Sequence, residues 1–146
     1  MNHGLQVLVV DDHATVREGL IRILTSAGLG WQVQGAAHAE AALGLVAEHR
    51  FDMGVVDMSM PGMNGIELVR TLRAQGHDLP LLMLSMHAEE AYALAAFKAG
   101  ATGYITKDRA AEDLVEAVRV VASGGAYVPP ALAGRVQLNS QGRLEL

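Results

Sequence analysis

The sequence predicts an α/β protein with a doubly wound, five-stranded parallel sheet and five helices. Short runs rich in Val, Leu and Ile alternate five times with longer segments whose apolar residues recur at helical spacing. Parallel neighbours need a crossover of about a dozen residues, and each helical segment supplies one. Right-handed crossovers then place helices on both faces of the sheet. A barrel of eight such units would need roughly 250 residues, so a length of 146 residues excludes it.

The strands are short apolar runs that end at a polar residue or a turn. The first, Gln6–Val10, has the length and composition of a buried strand, whereas the second, Trp31–Ala37, is more polar and suits a position near the sheet edge. The five predicted strands are Gln6–Val10, Trp31–Ala37, Met53–Val56, Leu79–Leu84 and Tyr104–Thr106.

The segments between the strands have one apolar face each. In the first of them Val16, Leu20 and Leu24 recur every four residues, as expected for an amphipathic helix. Glycine follows the first, fourth and fifth segments, where it is typical of a helix C-terminus. The five predicted helices are Ala14–Ser26, Ala39–Arg50, Ile66–Gln75, Glu89–Ala99 and Ala111–Ala122.

The composition excludes several classes of protein. Hydrophobic residues make up 51% of the chain and charged residues 18%, which excludes a disordered chain. The formal net charge is −5, so the overall charge disfavours nucleic-acid binding. The absence of Cys excludes disulfides, thiolate chemistry and zinc–cysteine sites. With no apolar run near the ~20 residues of a membrane span and no basic signal-peptide region, we expect a soluble, cytoplasmic domain.

Polar side chains follow four of the five predicted strands. Asp11 and Asp12 come directly after the first strand, Asp57 after the third, Ser85 after the fourth and Lys107 after the fifth. The carboxyl ends of parallel strands share one edge of the sheet, where ligands bind in open α/β folds. We therefore expect these five residues to converge on one site, although they span nearly 100 positions of sequence.

Three carboxylates at one site need a cation. Two unit charges ~4 Å apart repel by about 4 kcal/mol at an effective dielectric constant of 20, and Lys107 supplies one positive charge. Mg²⁺ is the expected ion, because it binds through one or two carboxylates and keeps several waters. In a neutralised pocket Asp57 can act as a nucleophile and form an aspartyl phosphate.

Each of these residues also has an ordinary structural explanation. Asp11 and Asp12 suit a helix N-cap, Asp57 a turn, Ser85 a helix cap and Lys107 a solvated strand end. Taken singly, the structural explanations are as good as the functional one or better. Their coincidence at the ends of four neighbouring strands favours the functional interpretation.

Other motifs do not indicate a competing site. The chain has no G-x-G-x-x-G after its first strand, no phosphate-binding GKS or GKT loop, and no G-x-S-x-G around Ser85. Several methionines lie near the predicted site, and we interpret them as adaptable apolar packing instead of a soft-metal site. They are Met58, Met60, Met63, Met83 and Met86.

The motifs VVDDH, VVDMSMPGMNG, LLMLSMH and GYITKD, in this order, resemble the receiver domain of two-component response regulators. DDHATVREGL and SGGAYVPPALA are similar to the LuxR/NarL subgroup of transcriptional regulators. The resemblance covers roughly residues 5 to 125 without a large insertion. It implies a flavodoxin-like sheet with the strand order 2-1-3-4-5.

The resemblance also implies a role for each acidic residue. Asp57 would be the phosphoacceptor and take a phosphoryl group from a sensor histidine kinase. Asp12 would bind Mg²⁺ directly, with Asp11 close by and acting through water. Asp57 and the backbone carbonyl of Ser59 would complete the protein ligands of the metal.

Three further residues receive roles from the resemblance. Ser85 would hydrogen-bond one phosphoryl oxygen and Lys107 would pair with another. Tyr104 matches the aromatic switch residue whose ring follows the Ser85 hydroxyl, although on sequence grounds alone it suits the core equally well. Phosphorylation would then shift a two-state equilibrium at the surface formed by the fourth helix, the fifth strand and the fifth helix.

Two alternative functions fit the same architecture. A phosphatase or phosphotransferase could use Asp57 on an external substrate, but such enzymes usually have a second Asp two residues later, where this chain has Ser59. A flavin-binding protein would need a phosphate loop that is missing here. We therefore expect self-catalysed phosphotransfer and autodephosphorylation, and no enzymatic turnover of an external substrate.

The sequence divides into a predicted receiver domain at residues 1–125 and a short C-terminal helix and linker at residues 126–146. Pro129-Pro130 suits a helix start, Ala131–Val136 a turn or two of helix, and Asn139–Gly142 a linker. In the LuxR/NarL subgroup such a linker leads to a helix-turn-helix domain. We expect DNA binding only through that absent domain, and we expect homodimerisation. The sequence is compatible with a truncated chain and with a natural single domain.

Overall fold

Five parallel strands form the central sheet of this computed structural model, which describes residues 4–139 and 144–145. The spatial order of the strands is β2-β1-β3-β4-β5, as predicted. The strands are β1 Gln6–Val10, β2 Gln32–Ala36, β3 Met53–Asp57, β4 Leu81–Ser85 and β5 Gly103–Thr106.

Helices cover both faces of this sheet. The apolar residues of α2, α3 and α4 pack on one face, and those of α1 and α5 pack on the other. Each predicted helix is confirmed, and its ends either coincide with those expected or differ by one or two residues. The helices are α1 Ala14–Thr25, α2 Ala39–Glu48, α3 Gly65–Ala74, α4 Glu90–Ala99 and α5 Ala110–Ala122.

Alternate residues of the central strands supply the two cores. In β1, Leu8 and Val10 belong to the apolar cluster under α2, α3 and α4, whereas Val7 and Val9 belong to the cluster under α1 and α5. All four are essentially inaccessible to solvent, which explains a strand that is apolar throughout. β2 has exposed and half-buried residues and lies at the sheet edge, which confirms the position predicted from its polarity.

Two site residues lie within strands and not after them. Asp57 is the last residue of β3 and Ser85 the last residue of β4, so the predicted ends of both strands were one residue short. The predicted start of the fourth strand at Leu79 was also wrong, because pairing with β3 begins at Leu81. Pro80 has no amide hydrogen to donate, but its carbonyl accepts a hydrogen bond from Gly54 N at 2.9 Å.

The C-terminal segment differs from the prediction. The predicted helix start at Pro129-Pro130 is confirmed, but only Pro130–Leu132 is helical, as a single 3₁₀ turn, so the helix is shorter than the predicted Ala131–Val136. Two short antiparallel strands follow, β6 Gln137–Leu138 and β7 Leu144–Glu145. Most of the predicted linker Asn139–Gly142, namely residues 140–142, lies outside the described residues.

The methionines near the site do not all have the same environment. Met58, Met60 and Met83 are buried in the cluster under α2, α3 and α4, and Met63 packs against it, as predicted. Met86 is 79% exposed, so the interpretation as apolar packing was wrong for this residue. It follows Ser85 directly, where the chain leaves the sheet for the loop before α4.

The start of α3 lies against the end of β3. Asn64 caps this helix. Its side-chain oxygen accepts a hydrogen bond from Glu67 N at 2.9 Å, and its backbone N–H donates to the Glu67 carboxylate at 3.0 Å. Gly65 N donates to the Met58 carbonyl at 3.0 Å. A Cβ atom on Gly65 would lie 2.3 Å from the Asp57 carbonyl oxygen, so a side chain cannot be accommodated without moving backbone.

We expect the Gly65→Ala substitution to lower the free energy of unfolding by about 1–3 kcal/mol, the usual cost of overpacking. Urea denaturation followed by circular dichroism measures the change. Gly44→Ala is the matched control, because Gly44 lies within α2 and a Cβ there meets nothing within 4 Å. The control should be stabilised by about 0.5–1 kcal/mol, and equal effects of the two substitutions would contradict the steric explanation.

Candidate functional site

An acidic site occupies the carboxyl edge of the sheet. Asp11 and Asp12 follow β1, Asp57 ends β3, and Lys107 begins the 3₁₀ turn Lys107–Arg109 after β5. The side chains of Asp11 and Asp57 are 0% and 1% exposed. The predicted convergence of these residues is therefore what the structure shows, with the carboxylates of Asp11 and Asp57 placed in the interior.

Backbone and side-chain hydrogen bonds hold Asp11 in place. Its amide donates to the Ala36 carbonyl at 3.1 Å, which extends the pairing of β1 with β2. One oxygen of its carboxylate, Oδ1, accepts from His13 N at 2.9 Å. Its carbonyl accepts from the Arg17 guanidinium at 2.7 Å, a contact that orients the start of α1 and that sequence inspection missed. Arg17 lies one turn into α1, so helical periodicity offered a hint of this position.

Lys107 is the cation of the site. Its Nζ lies 3.2 Å from Asp57 Oδ1 and 3.5 Å from Asp11 Oδ2, so one ammonium group contacts two carboxylates. The Lys107 side chain is 20% exposed, which leaves its head group near the rim of the pocket. Among the described residues, Lys107 is the only lysine or arginine paired with these carboxylates, so net negative charge remains at the site, as the sequence predicted.

Several carboxylate oxygens have unused hydrogen-bonding capacity. Among the described residues, the buried oxygens Asp11 Oδ2, Asp12 Oδ1 and Asp57 Oδ2 accept no hydrogen bond. Ligand atoms of these three residues and of His13 all lie within 4.8 Å of one another. Asp11 Oδ2 lies 3.5 Å from Lys107 Nζ and Asp12 Oδ1 lies 3.3 Å from His13 Nδ1, whereas Asp57 Oδ2 has no donor among the described residues. A buried acceptor without a donor is costly, and hard oxygen donors in this arrangement suit a divalent cation such as Mg²⁺. The residues present therefore fit a metal ion.

The pKa of Asp57, the predicted nucleophile, is raised. Burial raises the pKa of the Asp57 carboxyl group above 3.8, and the nearby Asp11 carboxylate raises it further. Lys107 and the backbone amide of Ser59, which donates to Asp57 Oδ1 at 3.2 Å, lower the pKa but do not offset the increase. Negative charge on Asp57 is thus disfavoured in the protein without a bound cation.

Ser85 and Tyr104 meet at the loop between β4 and α4. Ser85 is 1% exposed, and its Oγ accepts a hydrogen bond from His87 N at 3.0 Å. The Tyr104 hydroxyl donates to the His87 carbonyl, so both side chains hold the same loop residue. Burial raises the pKa of the Tyr104 phenol above 10.0, which keeps it protonated as a donor.

The structure thus brings together the predicted residues Asp11, Asp12, Asp57 and Lys107. Ser85 ends the neighbouring strand β4, and its hydroxyl contacts the loop that Tyr104 also holds. His13 is an addition to the predicted set: its Nδ1 lies 3.3 Å from Asp12 Oδ1. Its place immediately after the acidic pair was visible in the sequence, but the adjacent histidine alone does not indicate the direction of its side chain.

Comparison with known proteins agrees with this geometry. Residues 7–119 match the family described as the response regulator receiver domain. The chain belongs to this family. The receiver domain is 40% identical over 126 residues to the transcriptional regulatory protein DegU of Brevibacillus brevis, a match that covers 86% of this chain and 53% of DegU.

Solved structures resemble the receiver domain along most of its length. The two-component response regulator of the LuxR family from Aurantimonas superposes with a TM-score of 0.81 at 37% identity, over 90% of this chain and 94% of that one. The chemotaxis protein CheY4 of Vibrio cholerae superposes with a TM-score of 0.75 at 32% identity, over 81% and 98% of the two chains. These relatives confirm the predicted LuxR/NarL subgroup and the flavodoxin-like fold.

The chain spans 53% of the length of DegU and 64% of the response regulator GacA of Pseudomonas aeruginosa, which is 36% identical to it. Both relatives are therefore longer than the receiver domain described here. None of the helices in the described part of the chain combines the length and the apolar character that a membrane span requires.

Asp57→Asn should raise the free energy of unfolding at pH 7, in EDTA, by about 1–2 kcal/mol, the scale of an unpaired buried polar group. The unfolded chain releases the Asp57 proton above pH 3.8, whereas the folded protein keeps it up to its own, higher pKa. The free energy of unfolding of the wild type therefore falls as pH rises between these two pKa values. Below pH 3.8 the carboxyl group is protonated in both states, and the gain should shrink.

Urea denaturation between pH 3 and pH 8 measures this gain. The control is Asp108→Asn, which removes the same charge from an exposed position and should change stability by less than about 0.5 kcal/mol. A gain at Asp57 that is independent of pH, or equal to that of the control, would show that burial of charge is not its cause.

Proposed function

We propose that this receiver domain accepts a phosphoryl group on Asp57 from a sensor histidine kinase and uses it to control a DNA-binding output domain. The observation that supports this most directly is the environment of Asp57. One of its oxygens contacts the Lys107 ammonium group at 3.2 Å, whereas the other, within the described residues, accepts no hydrogen bond. This leaves one carboxylate oxygen positioned as a nucleophile.

The transfer follows from these groups. Asp57 Oδ2 attacks the phosphorus atom of a phosphohistidine, the phosphorus–nitrogen bond breaks, and its electron pair leaves with the imidazole nitrogen. Lys107 already contacts Asp57 and Asp11, and its ammonium group pairs with a phosphoryl oxygen as negative charge enters the pocket. Ser85 donates its hydroxyl hydrogen to another phosphoryl oxygen, and this donation is compatible with the hydrogen bond that its oxygen accepts from His87 N.

Three acidic residues would hold the metal ion. Asp12 and Asp57 are its proposed direct carboxylate ligands, with the Ser59 carbonyl as a third, and Asp11 acts nearby through water. When bound, Mg²⁺ neutralises the carboxylates and screens the incoming phosphoryl charge. Among the described residues, buried oxygens of Asp11 and Asp12 that accept no hydrogen bond support this assignment.

The loop before α4 couples phosphorylation of Asp57 to the rest of the domain. Tyr104 and Ser85 both hydrogen-bond to His87, so a new bond from Ser85 to the phosphoryl group alters the support of this loop. Tyr104 also packs edge-on against Phe97 of α4, with ring centroids 6.5 Å apart. We propose that the surface formed by α4, β5 and α5 changes between two states when Asp57 is phosphorylated.

The partners follow from the subgroup. Residues 1–125 would be the receiver domain, and residues 126–146 would lead to a helix-turn-helix domain through which the whole protein binds DNA as a homodimer. The relative DegU is itself described as a transcriptional regulatory protein. Ser59 stands where phosphatases with an aspartate nucleophile usually have a second acid, so turnover of an external phosphate ester is not part of the proposal.

Intact-mass spectrometry after incubation with acetyl phosphate and Mg²⁺ tests the assignment. The wild-type protein should gain one phosphoryl group, and Asp57→Ala should gain none. EDTA should abolish the labelling, and Lys107→Ala should lower its yield at least tenfold, because a contact to a charged group is worth about 1.5–3 kcal/mol.

Asp52→Asn is the matched control, since Asp52 lies just before β3 and binds Gln6 N at 2.7 Å, away from the site. It should be labelled like the wild type. Labelling that persists in Asp57→Ala would refute the phosphoacceptor assignment. Release of many phosphates per protein molecule from small esters would instead support the phosphatase alternative.

A further inference from the structure

The described residues after α5 fold back onto the sheet edge and α4. We call residues 126–138 together with 144–145 the strap. Tyr127 pairs with the edge strand β5: its amide donates to the Thr102 carbonyl at 3.0 Å, and its carbonyl accepts from Tyr104 N at 3.0 Å. The strap therefore satisfies backbone groups of β5 that would otherwise be exposed at the sheet edge.

The strap also contributes to the core. Leu132, Val136 and Leu144 are 0%, 9% and 8% exposed and belong to the same apolar cluster as Phe97 and Tyr104. A fully buried leucine side chain stabilises the folded state, because its apolar surface is removed from water. An interdomain linker has no need for such burial, so the strap is a docked element of this domain.

The strap contacts α4, a helix whose buried side chains are mostly small. The buried residues of α4 are alanines apart from Phe97, and an alanine side chain removes little apolar area from water. The strap contacts the same helix at its first turn, where the Arg135 guanidinium lies 3.4 Å from the Glu90 carboxylate. β7, which contains Leu144, lies beside α4 as well. The strap is therefore one of the elements that fix the position of α4, together with α3 and β5.

Tyr104 connects the strap to the acidic site. Its amide is bonded to Tyr127 in the strap, whereas its hydroxyl is bonded to the His87 carbonyl in the loop that also contacts Ser85. The ring between these two bonds is 3% exposed and packs against Phe97. A displacement of this ring toward Ser85 would therefore disturb both the α4 contact and the cluster in which Leu132 lies.

We infer that the strap is an autoinhibitory element: when docked it holds α4 and β5 in the arrangement of the unphosphorylated domain, and phosphorylation of Asp57 releases it. This inference rests on the proposed function. By thermodynamic linkage, whatever weakens strap docking strengthens binding of a phosphoryl group or its analogue by the same factor. The docked strap would thus both cover the output surface and lower the affinity of the site.

Equilibrium binding of beryllofluoride with Mg²⁺, a non-covalent phosphoryl analogue, tests the linkage by isothermal titration calorimetry on the full chain. Leu132→Ala should bind the analogue at least about fivefold more tightly than wild type, the lower end of ordinary allosteric coupling. Leu138→Ala is the matched control, because it makes the same change in the same strap at a residue that is 40% exposed. The control should bind with wild-type affinity.

Hydrogen exchange in the wild-type protein gives a second measurement that does not depend on how the variants fold. Saturation with beryllofluoride and Mg²⁺ should accelerate exchange of the Tyr127 amide at least tenfold, whereas the amide of Val55 in β3 should stay protected. Acetyl phosphate labelling of Asp57 in the same sample reports separately on the proposed function.

The outcomes distinguish the two proposals. Wild-type protein that neither binds beryllofluoride nor is labelled by acetyl phosphate would overturn the proposed function and, with it, the autoinhibitory strap. Protein that is labelled and binds the analogue, but shows unchanged Tyr127 exchange, would overturn the strap alone. Equal affinities of wild type and a folded Leu132→Ala would also overturn it.

Discussion

The burial of like charges at the carboxyl ends of β1 and β3 is the constraint on which the rest of the site depends. Asp11 and Asp57 are inaccessible to solvent, and one lysine contacts both of their carboxylates. Burial and, secondly, the Asp11 carboxylate raise the pKa of Asp57. Among the described residues, no group donates a hydrogen bond to the buried Asp57 Oδ2. A bound cation reduces the repulsion between these carboxylates, and an incoming phosphoryl group adds negative charge again. A domain built this way is sensitive to what binds at one edge of its sheet.

The parallel sheet is what makes such burial possible. It brings the ends of β1, β3, β4 and β5 to one edge, and apolar residues on both faces fix the strands in register. Rigid strands therefore hold the acidic side chains, whereas the loop after β4 contains the groups that can rearrange. Gly65 allows α3 to approach the Asp57 carbonyl closely, which leaves the loop after β3 little freedom to move.

Much of this was predictable, for identifiable reasons. The uniformly apolar β1 and the more polar β2 predicted a buried strand and an edge strand, because burial selects composition directly. The site residues were predictable because each stands at the end of a strand. The ends of β3 and β4 were misplaced because Asp57 and Ser85 are polar residues that nonetheless pair in the sheet. Met86 was misassigned because an apolar residue in a loop has no periodicity to show which way it faces.

The sequence by itself determined which residue types stand at the strand ends. Its resemblance to receiver domains supplied the order of the strands and the membership of the receiver family. Only the tertiary structure decided that Lys107 contacts Asp57 and Asp11, that Tyr104 bonds to the His87 carbonyl, and that the strap lies against β5 and α4. The physical reason is the sequence separation of the residues in contact. Composition and periodicity report on local burial, whereas these contacts join segments that become neighbours only when the sheet has formed.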